Sequence, residues 1–85
     1  MSDLQAKFEA AAQEVKKLKD DPGNDAKLQL YALYKQGTEG DVQGRRPGFT
    51  DMIGRAKYDA WAKVKGSAGD EAMKNYIALV KSLGA

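Results

Sequence analysis

GTEGDVQGRRPGFT, residues 37–50, is the segment on which the architecture of this chain turns. It holds Pro47, and five of the nine glycines of the chain fall between Gly37 and Gly54. Glycine in a helix or strand costs backbone entropy and proline removes a donor, so little regular structure is expected here. A loop beyond roughly 12 residues inside a compact domain is uncommon and often functional. At about 3.3 Å per residue it spans up to some 40 Å, whereas a 13-residue helix is only about 20 Å long. The segment can therefore return along the whole helix before it. The helices on either side can then run parallel, which a short connection would forbid.

Both flanks read as helix. Before the loop, Leu28, Tyr31, Ala32 and Lys35 follow helical spacing from about Asp25 to Gly37, with Asn24 or Asp25 available as N-cap. After it, Thr50 is the apparent cap of a helix over Asp51 to Lys65, with Ile53, Ala56, Ala60 and Val64 on one side and Trp61 beside them. Gly66 stops that helix. Further out, Leu4, Phe8, Ala11, Val15 and Leu18 form an apolar stripe from about Asp3 to Lys19, and Asp20-Asp21-Pro22-Gly23-Asn24 turns the chain back. Ser67 with Asp70 three residues on resembles a capping box, and Ala72, Met73, Tyr76, Ile77, Val80 and Leu83 extend a last stripe. No strand-like alternation or repeat is present. The reading is an all-α four-helix bundle with one long crossover connection.

Eighty-five residues, 42% hydrophobic and 31% charged, make one small domain over residues 1–85, with room for a single modest core. The chain has no cysteine, which excludes a disulfide framework and a thiolate zinc site and suits a reducing compartment. It has no histidine, which removes the Ser-His-Asp arrangement and the commonest ligand for zinc, copper or haem. No calcium-loop pattern is present and no metal site is expected. The loop glycines do not spell a P-loop and follow no strand. Charges run through residues 1–17 and no apolar run approaches the roughly twenty residues of a membrane span, so a soluble cytoplasmic protein without stable membrane insertion is expected.

Two clusters carry chemistry. In YALYK, residues 31–35, Tyr31 lies about 40° around the helix from Lys35 and about 60° from Tyr34. Two phenol rings and an ammonium then share a face, which fits a ligand with a flat base and a phosphate. The plainer reading places both tyrosines at the edge of the core with their hydroxyls in water. Arg55, Lys57, Tyr58 and Trp61 form the second cluster, in which Trp61 reads as a core anchor and Lys57 as either a solvated lysine or a second cation. Residues 1–34 hold five basic and six acidic side chains, residues 35–65 seven and four, and residues 66–85 two and two, giving net charges of −1, +3 and 0. The small surplus sits in the loop and its flanking helices. A solvated face accounts for it, and anion binding is the sharper explanation.

Tyr31–Gly40 (YALYKQGTEG), Arg46-Pro47-Gly48, Ala56–Gly66 (AKYDAWAKVKG) and Ala72–Ile77 (AMKNYI), in this order and spacing, resemble the acyl-coenzyme A-binding proteins, and the similarity runs from about Phe8 to Ile77. The resemblance implies an up-down-down-up bundle and a ligand, the coenzyme A thioester of a medium- or long-chain fatty acid. It places ligand contacts on Tyr31, Tyr34, Lys35, Lys57 and Tyr76, with a further basic contact at Lys16. By this similarity Tyr31 stacks near the adenine, Lys35 and Lys57 pair with phosphates, and Tyr76 closes the pocket from the fourth helix. The family often has Trp at Tyr58, Lys at Ile53 and a basic residue at Asp21. Ile53 would add apolar surface near the presumed channel and favour longer tails. The implied function is non-catalytic: binding, buffering and delivery of fatty acyl-CoA by a monomer making transient contacts with acyl-CoA-using enzymes, with no cofactor. A helical protein-interaction module without a small ligand is the alternative. Nucleic-acid binding through Arg45, Arg46 and Arg55 is a third reading, and nucleic acid is not expected as a partner.

Overall fold

The computed structural model describes residues 3–84. Helix α1 spans Asp3–Glu14 and tightens into a 3-10 turn at Val15–Lys17, α2 spans Asn24–Glu39, α3 Met52–Lys63 and α4 Gly69–Ser82, with no strand among the described residues. The expected all-α four-helix bundle is what forms.

Helix directions follow from which ends meet. Trp61 Nε1 of α3 donates to the Gly40 carbonyl at the end of α2, and the Gly66 amide beyond α3 donates to Asp41 Oδ1, both at 2.8 Å. Helices α2 and α3 thus end side by side and run in the same sense, with residues 40–51 making the return. Gly37 near the end of α2 faces Met73 and Gly69 near the start of α4, and Tyr34 faces Tyr76, so α4 runs against α2. Phe8 packs on Tyr76, and Glu14 shares a cleft with Leu83, so α1 runs with α4. The order is up-down-down-up.

The core lies between α1, α2 and α4, where Phe8, Ala11, Leu30, Met73, Tyr76 and Val80 are buried together. Helix α3 leans on α2 from the other side and buries one large side chain, Trp61, at 8% exposure. Each fully buried large side chain in such a core stabilises by about 1.5–3 kcal/mol.

Several element ends differ from the sequence reading, each for a local physical reason. The first α-helix stops at Glu14, five residues short of Lys19, because Leu18 is extended and the last turn closes by the shorter Leu18 N to Val15 O bond of 3.4 Å. Helix α2 is not capped by Asn24 or Asp25. Its N-cap is Gly23 at φ 94°, and Asp21 holds that glycine by accepting its amide at 2.8 Å. The same helix passes through Gly37, where the loop was expected to begin, and reaches Glu39. A Cβ on Gly37 would stand 3.2 Å from Met73 Cγ and 3.5 Å from Phe8 Cζ, so this glycine permits close packing of α2 and does not break it. The break comes at Gly40, with φ 85° and ψ −150°. Asp51, not Thr50, caps α3 by accepting the Gly54 amide at 2.9 Å. Ser67 does not cap α4, whose N-cap is Ala68 without a side-chain bond. Asp70 and Glu71 in the first turn offset the helix dipole instead.

Candidate functional site

Parallel packing of α2 and α3 brings together side chains that lie 26 positions apart in the chain. The Tyr31 ring on α2 has Lys57 Nζ of α3 at 5.4 Å from its centroid and Lys35 Nζ at 5.9 Å, and Lys35 Nζ also lies 5.6 Å from the Trp61 ring. Two ammonium groups from different helices therefore flank one half-buried phenol. An ammonium near a ring face is held by the ring quadrupole, an interaction worth about 0.5–1 kcal/mol at exposed sites. A planar, anionic ligand meets a ring to stack on and two charges to pair with in the same place.

Lys35 has a partner already. Its Nζ lies 2.5 Å from Glu39 Oε2, one turn along α2, and this hydrogen bond raises the lysine pKa above its ordinary value, against a smaller desolvation that lowers it. Lys57 has no carboxylate partner among the described residues.

Next to Lys35 in the chain, Gln36 is 1% exposed and centres a polar junction. Gln36 Nε2 donates to Asp41 Oδ1 and to the Ser67 carbonyl, each at 2.9 Å. The Asp41 carboxyl lies below the usual carboxylate range, chiefly because it accepts the Gly66 amide and then because it accepts Gln36. Gln36 Oε1 is buried without a hydrogen-bond partner among the described residues. The return loop is fastened to α3 at two further points. Arg46 donates twice to the Asp59 carboxylate, at 2.8 Å each, and Tyr58 donates its hydroxyl to the Gly44 carbonyl at 3.0 Å. Tyr58, one of the three departures from the family pattern, is thus a loop tether.

Tyr34 and Tyr76 belong to a different constellation. Their rings and that of Phe8 meet at the junction of α1, α2 and α4, with Phe8 stacked on Tyr34 at 5.3 Å and edge-on to Tyr76 at 5.1 Å. Tyr34 stays 43% exposed and can reach a ligand, whereas Tyr76 is 4% exposed. Burial, with Tyr34 nearby, pushes the Tyr76 hydroxyl above the usual phenol value. Its ring packs in the core more than it closes a rim. Lys16 lies on the 3-10 turn and lines a separate hollow of about 360 Å³ with Leu18, Pro22, Lys27 and Leu30. The structure brings Tyr31, Lys35 and Lys57 together and sets Tyr34 beside them on α2, while Lys16 lines the hollow that includes Leu30.

Between α2 and α3 runs a cleft of about 250 Å³ with Leu28, Ala32, Leu33, Ala60 and Val64 in its walls and Asp25, Gln29 and Lys63 also lining it. Ile53 is 73% exposed and lines no enclosed channel. Among the described residues no cluster of three or more acidic, cysteine or histidine side chains could hold a metal ion, and no helix is long and apolar enough to cross a membrane.

Sequence reasoning missed Glu39, Gln36 and Asp41. The Lys35–Glu39 spacing of four was a readable signal for the first. No local pattern marks the junction of the other two, since Gln36 meets a partner 31 residues away.

Comparison with known proteins places this geometry in context. A family model described as acyl CoA binding protein matches residues 5–80. Acyl-CoA-binding protein homolog 1 of Caenorhabditis elegans is 53% identical over 76 residues, which are 89% of this chain and 88% of that protein. Enoyl-CoA delta isomerase 2 of Rattus norvegicus is 48% identical over 83 residues, 98% of this chain but 21% of that protein. Among solved structures, the crystal structure of Oryza sativa acyl-CoA-binding protein 2 superposes with a TM-score of 0.90 at 48% identity, covering 94% of this chain and 87% of that one.

Proposed function

Because the chain belongs to the acyl-CoA-binding protein family, we propose that it binds fatty acyl-CoA thioesters reversibly, at the surface where α2 and α3 pack. The observation that supports this most directly is the Tyr31 ring flanked by Lys35 and Lys57. Coenzyme A carries an adenine, a 3′-phosphate and a pyrophosphate. A multiply charged headgroup needs converging cations to offset the hydration it loses, and each charge-assisted hydrogen bond contributes about 1.5–3 kcal/mol. Tyr31 supplies the stacking face, Lys35 and Lys57 the cations, and Tyr34 an exposed edge on the same helix. The acyl tail follows the apolar α2–α3 cleft, each buried CH₂ contributing about 0.8 kcal/mol. Sixteen carbons exceed what about 250 Å³ can enclose, so the end of a long tail lies along the open mouth of the cleft.

The role is buffering and delivery of medium- and long-chain thioesters by a monomeric, cytoplasmic carrier. It acts without a cofactor and leaves the thioester for other enzymes to use. Among the side chains around Tyr31 there is a strong cation set but no nucleophile paired with a base, which supports binding over turnover. Calorimetric titration with palmitoyl-CoA, coenzyme A and palmitate tests the reading. Palmitoyl-CoA is expected to bind most tightly, and free thiol should not rise during the incubation. Palmitate bound more tightly than its thioester would overturn the ligand, and thiol release would overturn the non-catalytic role.

A further inference from the structure

Phe49, Met52 and Ile53 stand in solvent at 86%, 77% and 73% exposure, at the end of the return loop and the first turn of α3. Three large apolar side chains this close together on a small monomer form a patch that asks for a partner. They are held out on purpose-built supports. Asp51 between them is committed to capping α3 through the Gly54 amide, and the loop behind is tied down by the Arg46–Asp59 pair and the Tyr58–Gly44 bond. Arginines adjoin the patch. The Arg55 guanidinium lies 4.9 Å over the Phe49 ring, and Arg45 is exposed in the same loop, between the tethered residues Gly44 and Arg46 and four positions before Phe49. Neither Arg45 nor Arg55 has a salt-bridge partner among the described residues, whereas Asp59 is paired with Arg46 and Asp51, the cap of α3, keeps its charge, which leaves the arginines in excess by one.

We propose that Phe49, Met52 and Ile53 form a docking tip for an anionic lipid surface, with Arg45 and Arg55 at the level of the headgroups. The hollow bordered by Phe49, Met52, Arg55, Ala56 and Asp59 is open to solvent, and Ile53 stands outside it, so the tip as a whole offers no shaped seat for a rigid partner. At on the order of 150–200 Å² for each large side chain, it falls short of the roughly 800 Å² per partner that a stable protein interface buries. A fluid bilayer needs neither shape nor area. It takes apolar side chains singly among its acyl chains and pairs arginines with phosphate and carboxylate headgroups. The inference stands apart from the ligand reading, since none of these residues belongs to the Tyr31–Lys35–Lys57 cluster.

Co-sedimentation with phosphatidylcholine vesicles, with and without about 30 mol% phosphatidylserine, tests it. The wild-type chain is expected to pellet with the phosphatidylserine vesicles and to be released by salt. The triple variant Phe49→Ser, Met52→Ser, Ile53→Ser is expected to bind at least about tenfold more weakly, and Arg45→Gln with Arg55→Gln to lose the preference for phosphatidylserine. All five side chains lie outside the core, and unchanged helical circular dichroism checks the fold. Three results would overturn the proposal: no pelleting of the wild-type chain, equal pelleting of the triple variant, or a concentration-dependent dimer that the triple variant abolishes. A triple variant that loses palmitoyl-CoA affinity while still pelleting would also overturn it, by assigning the patch to the ligand's tail.

Discussion

Lys35 Nζ lies 2.5 Å from Glu39 Oε2, so the α2 lysine that faces the Tyr31 ring already holds a carboxylate. In the proposed complex a phosphate at Lys35 would share the ammonium with Glu39 or displace it, and in either case would sit near a like charge. The native pair itself is solvent-facing and worth only about 0.3–0.5 kcal/mol. Glu39→Gln is therefore expected to cost little stability while raising affinity for palmitoyl-CoA about two- to fivefold at low salt. The gain should fade as ionic strength rises, because screening removes the repulsion the substitution relieves. Titrations at two salt concentrations check this, and an unchanged or lower affinity would disconnect Lys35 from the headgroup.

Lys57 and Lys35 flank the same ring from different helices, and Lys57 has no competing carboxylate among the described residues. Replacing either by Met keeps the apolar stem and removes the charge. Lys57→Met is expected to weaken palmitoyl-CoA binding about tenfold or more, and the double substitution more than either alone. Affinity in both variants should also depend less on salt. Titration of the single and double variants gives the coupling directly.

Gly40 ends α2 at φ 85° and ψ −150°, a region that only glycine occupies without strain, and its carbonyl receives the Trp61 indole. Gly40→Ala is expected to destabilise the fold by about 1–3 kcal/mol. For a domain of this size each kcal/mol lowers the melting temperature by about 4–8 °C. Thermal unfolding followed by circular dichroism measures it. A melting temperature within about 2 °C of wild type, well short of that estimate, would mean the helix end does not need this conformation.

Asp41 has a depressed pKa because the folded protein donates the Gly66 amide and Gln36 Nε2 to its carboxylate. A group whose folded pKa lies below its unfolded value of 3.8 adds stability that is present above that value and lost as pH falls through the folded pKa. Asp41→Asn should thus be less stable than wild type at neutral pH, with the difference closing in acid below the unfolded value. Urea midpoints at neutral and at acid pH test the sign. Because the carboxylate is exposed, the difference should also be modest and shrink in salt.

The Tyr31–Lys35 pairing was legible from helical spacing, and the parallel course of α2 and α3 from the reach of the glycine-rich loop. Gly37 was misread because its reason is tertiary: composition announces a break, but the absent Cβ serves contact with Met73 and Phe8. The caps at Gly23, Asp51 and Ala68 fell one residue from their expected places, and only Asp51 makes a side-chain bond, because the backbone conformation at the helix start, set at Gly23 by φ 94°, decides the boundary and residue type alone does not report it. Tyr76 shows the limit of a periodic stripe. Spacing put it on the inner face of α4, and only the Phe8 and Tyr34 rings around it show how deep it sits. The Gln36 junction left no trace in the sequence, because it closes through Gly66 and Ser67, the latter 31 residues further along the chain.

The Trp61–Gly40 and Asp41–Gly66 bonds join the two ends of an excursion, residues 40–66, that contributes Trp61 as its one large buried side chain. Such a segment can swing away from the α1–α2–α4 core as one cooperative piece, below the free energy of global unfolding, so its amides should exchange with deuterated solvent together and ahead of those in α4. Any molecule that straddles Tyr31 and Lys57 acts as a staple across that opening, and its residence time would be written into the exchange rates of the helix it holds down.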